Sequence, residues 1–401
     1  MTVPTTRRAL LLHTGGLATL TGCAALERGG TFPAGDWPQV AKNAANTAHA
    51  PEGRVPATLS EAWDRSLPGW PYTSPVVGDG RAFVASADTL LGVDAGTGEG
   101  ALAASLPHEP GGTPAYDPDA GTVYVPTYDR TRAREGAFVH AFATPSARER
   151  WSLRVGDRAV YAVTVRDGTG YVRTGDAVVA FAAGEERWRY PGLDRLAYPE
   201  FNLPDDPTVT GTVAPAVTAD AVYAPTNGGV VALDRDTGTR RWTADVAHAV
   251  AVSVDARRVY VQGYTELRAF AHDGTPRWTR DDVGGLSAPT LAAGAAYAKN
   301  GDTLHELDPV TGETRWSFDL RTTILSAPSP VLTDAVVVPS HRTVAVRRGA
   351  GLGPTLLGRG RVSTAFDPAS FVAPAVGAGH LLLIDPFERR LVALAGTNGG
   401  M

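Results

Sequence analysis

The phrase ALDRDTGTRRW, residues 232–242, returns as ELDPVTGETRW at residues 306–316 and in eroded form along most of the chain. A short repeat of this kind restricts the fold sharply. One unit cannot bury its own apolar face, so identical units must stack on one another. Two registers define the unit. The first is a short β-branched run with a large residue at its centre, namely Phe83, Tyr124, Tyr171, Tyr223, Tyr260, Tyr297, Val337 and Leu382. The second is the opening phrase, which ends at Trp63, Leu102, Trp151, Trp188, Trp242, Trp278, Trp316 and Leu356. Six of the eight tryptophans in the chain fall in this second register, which ties them to the repeat.

A further strand such as GVVALD separates the two registers, and a small-residue strand with Pro, such as APAV, precedes the first. Four short strands in about 40 residues, with Gly-rich turns and no helical period, predict a β-propeller. In the repeated turn, Asp234 and Asp308 can accept hydrogen bonds from the backbone ahead of them. Gly238 and Gly312 supply the positive φ. The tryptophan after the turn is expected to wedge against the neighbouring blade, giving Trp63, Trp151, Trp188, Trp242, Trp278 and Trp316 a packing role.

The tryptophan series starts before any first-register strand, and the last unit stops without an outer strand of its own. Residues 58–67 are expected to supply it. The expectation is therefore an all-β, eight-bladed propeller of four-stranded antiparallel blades over residues 56–397, closed by an N-terminal outer strand. Residues 37–51 read as an extended lead-in across the ring.

The repeat resembles the pyrroloquinoline quinone (PQQ)-like propeller repeat, with its Ala-Leu-Asp-x-x-Thr-Gly-x-x-x-Trp phrase. That family includes quinoprotein dehydrogenases and non-catalytic propellers, among them a lipoprotein scaffold of the bacterial outer-membrane assembly machinery. The resemblance implies the fold and leaves function to the individual site. In the dehydrogenases it implies a vicinal Cys pair over the quinone, a Trp beneath it and Ca²⁺ held by Glu, Asn and Asp. This chain has one cysteine and spends most of its tryptophans on the repeat. No catalytic residue, metal site or cofactor is expected, and PQQ and calcium are the unfavoured alternative. The loop from Asp234 to Gly238 lacks the bidentate Glu of a calcium loop. The nine histidines show no metal-pair spacing, and His140 and His305 stand at matching repeat positions.

Departures from constant spacing mark insertions. From centre to tryptophan position the usual distance is 17 to 19 residues, but Tyr124 to Trp151 is 27, with the excess at residues 128–137. Trp188 to Tyr223 spans 35, with the excess at residues 191–210, and a smaller excess occurs at 358–371. In an antiparallel blade, second-to-third loops and blade-to-blade connections emerge on one face. All three insertions are expected there. Arg130, Arg132, Arg134, Tyr198, Glu200, Phe201, Asp205 and Asp206 would form a rim suited to a protein or peptide partner.

The N-terminus is read as an export leader. Arg7 and Arg8 open an uncharged stretch in the manner of a twin-arginine signal, and Leu20-Thr21-Gly22-Cys23 resembles a lipobox. The uncharged stretch is too short to span a bilayer of about 20 helical residues. Residues 1–22 are therefore a signal peptide, and 23–55 a lipidated tether and lead-in. Cys23 is the lipidation site, on the outer face of the cytoplasmic membrane. Loss of Arg7 and Arg8 with the leader moves the net charge from −5 to −7, which implies no basic patch suited to nucleic acid. The expectation is a monomeric, membrane-tethered binding or scaffold protein. The alternative is a quinoprotein-like oxidoreductase or quinone-binding protein using the central channel.

Overall fold

The computed structural model describes residues 30–56, 58–71, 73–100, 102–129, 136–157, 160–194, 196, 213–292, 294–320, 329, 331–332, 334–339, 343–347, 363–366, 370 and 372–397. Every regular element among them is a β-strand. Sheet 1 shows the common plan. Val76–Gly78, Arg81–Ser86, Thr89–Asp94 and Leu102–Ser105 follow one another outward from the centre as an antiparallel meander. The repeated turn closes the third-to-fourth hairpin. Asp94 Oδ1 accepts from Gly96 N at 3.0 Å and Thr97 N at 2.9 Å, and Asp234 and Asp308 do the same in their turns. Gly238 sits at φ +69°, where an L side chain is strained.

The described residues form eight sheets, numbered 1 to 8 in chain order of their innermost strands. The expectation of eight uniform four-stranded antiparallel blades is corrected to seven. Sheets 1 to 6 and sheet 8 have four antiparallel strand positions. In sheet 2 the innermost position is split between Glu109–Pro110 and Ala115–Asp117, which both pair with Thr122–Asp129. Sheet 7 departs from the plan. It has five strands, because His49–Ala50 lies parallel against Val331–Leu332 on its inner edge. Its fourth strand is Ser363–Phe366, paired with Thr343–Arg347. Leu356, expected to open that strand, lies outside the described residues. The fifth strand left no signal in the repeat, because His49–Ala50 lies outside every repeat unit.

Sheet 8 combines both ends of the chain. Leu59–Ser66 pairs antiparallel with Arg390–Gly396, as the fourth strand beyond Ala375–Gly377 and His380–Asp385. A single apolar cluster spans this seam. It joins Phe32 and Trp37 near the N-terminus, Val77 and Val84 of sheet 1, Leu332 of sheet 7, and Leu381–Ile384 and Leu391–Leu394 of sheet 8.

Residues 35–50 do not run straight across the ring; they circle one mouth of the channel and meet every sheet in turn. Gly35 O accepts from Ala378 N beside sheet 8, at 3.2 Å, and Trp37 exchanges both backbone hydrogen bonds with Val77 of sheet 1. Pro38 O accepts from Tyr116 N of sheet 2, and Gln39 Oε1 from Val165 N of sheet 3. Ala44, Ala45 and Thr47 carbonyls accept from Val217, Val254 and Leu291 of sheets 4, 5 and 6. His49 and Ala50 complete the circuit on sheet 7. Lys42, Asn46 and Ala48 adopt positive φ along this girdle. Asn46 Nδ2 is buried and donates to Ala214 O at 3.0 Å and Val252 O at 3.1 Å.

Candidate functional site: the open face

The girdle meets the C-terminal ends of the innermost strands, where the first-to-second and third-to-fourth turns lie. Second-to-third turns and sheet-to-sheet connections emerge at the opposite, open face. Two insertions flank described strands on that side. Arg130, Arg132 and Arg134 fall between Thr122–Asp129 and Gly136–Ala143 of sheet 2. Tyr198, Glu200, Phe201, Asp205 and Asp206 fall between Glu185–Pro191 of sheet 3 and Ala216–Val217 of sheet 4. All eight lie outside the described residues, as do Arg7, Arg8 and Cys23. The third excess, 358–371, divides differently. Its residues up to 362 stand in the chain between the third and fourth strands of sheet 7, and 367–371 stand between sheets 7 and 8.

Described groups on the open face include two large exposed apolar side chains that the spacing argument missed. Phe387 stands in the second-to-third turn of sheet 8, 63% exposed, and Trp70 in the connection from sheet 8 to sheet 1, 47% exposed. Leu67 N donates to Arg389 O at 2.7 Å, fastening that connection to that turn. Trp70 was identifiable in the sequence as a tryptophan outside the repeat register.

At the base of the sheet 2 insertion, the His108 ring stacks on Phe138 with centroids 5.1 Å apart, and its Nδ1 is 3.8 Å from Asp129 Oδ2. His140, 3% exposed, bonds through Nδ1 to Glu149 Oε1 at 2.8 Å and through Nε2 to Thr127 Oγ1 at 2.9 Å. Burial holds its pKa below the usual imidazole value, although Glu149 pulls the other way.

Between the sheets, three buried polar side chains occupy one repeat position, two residues after Tyr171, Tyr260 and Tyr297. Arg173 donates from Nε to Pro225 O at 3.2 Å and also reaches the Thr174 and Asp194 carbonyls. Gln262 Nε2 donates to Gly263, Glu266 and Val283 carbonyls. Burial lowers the Lys299 pKa to about 7. A repeat-aligned sequence shows these as polar residues in an otherwise apolar or Pro column.

The tryptophans face the neighbouring sheet's turn. Trp188 Nε1 donates to Arg235 O at 2.8 Å, Trp242 to His272 O at 2.8 Å, Trp278 to Pro309 O at 3.1 Å and Trp63 to Ala95 O at 3.2 Å. Trp316 differs, donating to Glu306 of its own sheet, and Trp151 packs on Tyr124 and Phe181. In the turn of Asp234, Oδ1 is taken by the backbone and by Thr237, and Oδ2 by Arg241 at 2.8 Å. These bonds hold the Asp234 pKa down to about 2, with Arg241 the largest cause. Among the described residues, no three His, Cys, Asp or Glu side chains are grouped to hold a metal.

The sequence model of the family described as outer membrane protein assembly factor BamB matches residues 93–250 and 226–370. No curated protein matches the chain. Among solved structures, BamB from Moraxella catarrhalis is similar with a TM-score of 0.64 and 15% identity, covering 84% of this chain and 100% of that one. Quinohemoprotein alcohol dehydrogenase from Comamonas testosteroni is similar with a TM-score of 0.64 and 14% identity, covering 90% and 81%. The computationally designed Ika8 protein has a TM-score of 0.61 and 14% identity, covering 83% and 98%. At these identities the structures share the fold.

Proposed function

Because the chain belongs to the family of the outer membrane protein assembly factor BamB, we propose that it is a non-catalytic scaffold that holds a protein partner against its open face outside the cytoplasm. The exposure of Trp70 and Phe387 on that face carries the reading. Aromatic side chains left in water at one end of a molecule are the anchors that partner surfaces use. The Arg-rich stretch 128–137 and the acidic-aromatic stretch 191–210 follow, in the chain, strands that end on that side, and they are proposed to add charge and further aromatic groups to the surface. We propose in addition that Cys23 is the lipid anchor and Arg7-Arg8 the export signal of a monomer held on the outer side of the cytoplasmic membrane. The quinoprotein reading does not fit the residues present. There is no Cys pair to cover a quinone, and the indoles of Trp63, Trp188, Trp242 and Trp278 are engaged in neighbouring turns.

The test is affinity capture from membranes of the native host with the parent and with Trp70→Ala/Phe387→Ala. Both side chains are exposed, so the melting temperature is expected to stay within a few degrees while the captured partner is lost. An unchanged partner at unchanged stability overturns the open-face assignment. Fractionation of Cys23→Ser tests the anchor separately, with release into the soluble fraction as the expected result.

A further inference from the structure

On the girdle side, away from the proposed partner surface, a cavity of about 780 Å³ opens between sheets 4, 5 and 6. Its floor is the girdle itself at Ala45, Thr47 and His49, and its walls are the first-to-second turns of the three sheets, with Pro309 and Val310 at its edge. The charges around it are unequal. Arg166, Arg257 and Arg258 line the cavity with His49, and Asp255 is the one carboxylate.

Asp255 is already committed. Its Oδ1 accepts from Arg257 N at 2.7 Å and Arg258 N at 2.8 Å, and its Oδ2 accepts from Tyr260 Oη at 2.7 Å. The turn is thereby built by backbone donors and leaves the Arg257 guanidinium to the cavity, while the Arg258 side chain also reaches the Tyr260 hydroxyl. Arg258 Nε is buried without an acceptor, and neither Arg257 nor Arg258 forms an ion pair among the described residues. Elsewhere on this acidic chain, Arg241, Arg280, Arg315 and Arg390 each hold a carboxylate. Arg166 is nearest to matching them, with Asp167 Oδ2 at 3.4 Å, but that oxygen is also bound by Arg235 at 2.8 Å.

We propose that this cavity binds an organic anion, its head group on the Arg257 and Arg258 guanidinium groups and its apolar part against Ala219, Ala256, Ala292 and Val310. Guanidinium forks match carboxylate and phosphate oxygens in pairs. The volume is that of a small-molecule site. A carboxylate head and a phosphate head share this chemistry, and the probes separate them.

Isothermal titration calorimetry on the full chain uses octanoate, octyl phosphate and octanol. One-to-one saturable binding of octanoate or octyl phosphate is expected, with octanol at least tenfold weaker, and the tighter of the two anions identifies the head group. Arg257→Gln/Arg258→Gln is expected to weaken that anion at least tenfold, with the melting temperature measured alongside because the Arg258 side chain is half-buried against Tyr260. Arg257→Gln alone, at an exposed side chain, is the second variant and is expected to weaken it at least threefold. Equal binding of octanol, undiminished binding by Arg257→Gln, or no saturable binding of either anion overturns the proposal.

Discussion

At the residue scale, the repeat is a contact between a tryptophan and a glycine of the next sheet. A Cβ on Gly238 would stand 2.5 Å from Trp188 Cε3, and Gly238 is at φ +69°. Trp188→Ala empties a buried wedge and is expected to cost about 3 kcal/mol, read by urea denaturation. Gly238→Ala pays for both clash and backbone strain, about 1–3 kcal/mol for the strain alone. In the double variant the clash term disappears, so the two costs are expected to sum to more than the observed loss. A cycle that adds without remainder would separate the two residues. The histidines make a second residue-scale prediction. Burial lowers the folded-state pKa of His140 and His305, so the unfolded chain takes up a proton first as pH falls. Their contribution is complete above the ordinary imidazole value of about 6.5 and is lost as pH falls through the lower folded value. Melting temperature measured from pH 8 to pH 5 should therefore decline below pH 6.5, and His140→Gln should flatten that decline. Asp234 acts in another window, below its ordinary carboxylate range and down to about 2.

At the element scale, the hairpin was legible and the girdle was not. Asp234, Gly238 and Trp242 are side-chain requirements of a turn and a wedge, so they recur in the sequence at a fixed spacing. The girdle binds mostly through backbone carbonyls at Gly35, Pro38, Ala44, Ala45 and Thr47, which almost any residue can supply. It leaves no composition signal, and its curvature depends on positive φ at three non-glycine residues. The two large insertions show in the sequence as an excess of length, and the rim residues expected in them lie outside the described residues, while Trp70 and Phe387 needed the topology to place them on one face. Sheet 7 was misread because its inner edge takes a fifth, parallel strand, His49–Ala50, from outside the repeat. Asn46 offers the sharpest test of the girdle. Asn46→Ala removes the donor shared by the buried Ala214 and Val252 carbonyls and is expected to cost about 1–3 kcal/mol in denaturant unfolding. A neutral result would mean that the segment contributes no stability at that point.

At the scale of the whole molecule, closure depends on a strand from each end of the chain. Leu59–Ser66 covers the Arg390–Gly396 edge, with Arg390 also paired to Glu61 at 3.2 Å. Removing residues up to 67 exposes that edge together with the apolar seam around Leu391–Leu394. The truncated chain is expected to self-associate, visible as a concentration-dependent rise in light scattering, while the parent stays monodisperse.

The girdle also orders events in time. Synthesis delivers residues 35–50 before any of the sheets they bind, yet their partners run from Val77 to Ala378. The girdle is thus complete only when the last sheet has emerged. Contacts of such high sequence separation make assembly slow, and the nascent propeller stays an open arc until the final sheet has emerged.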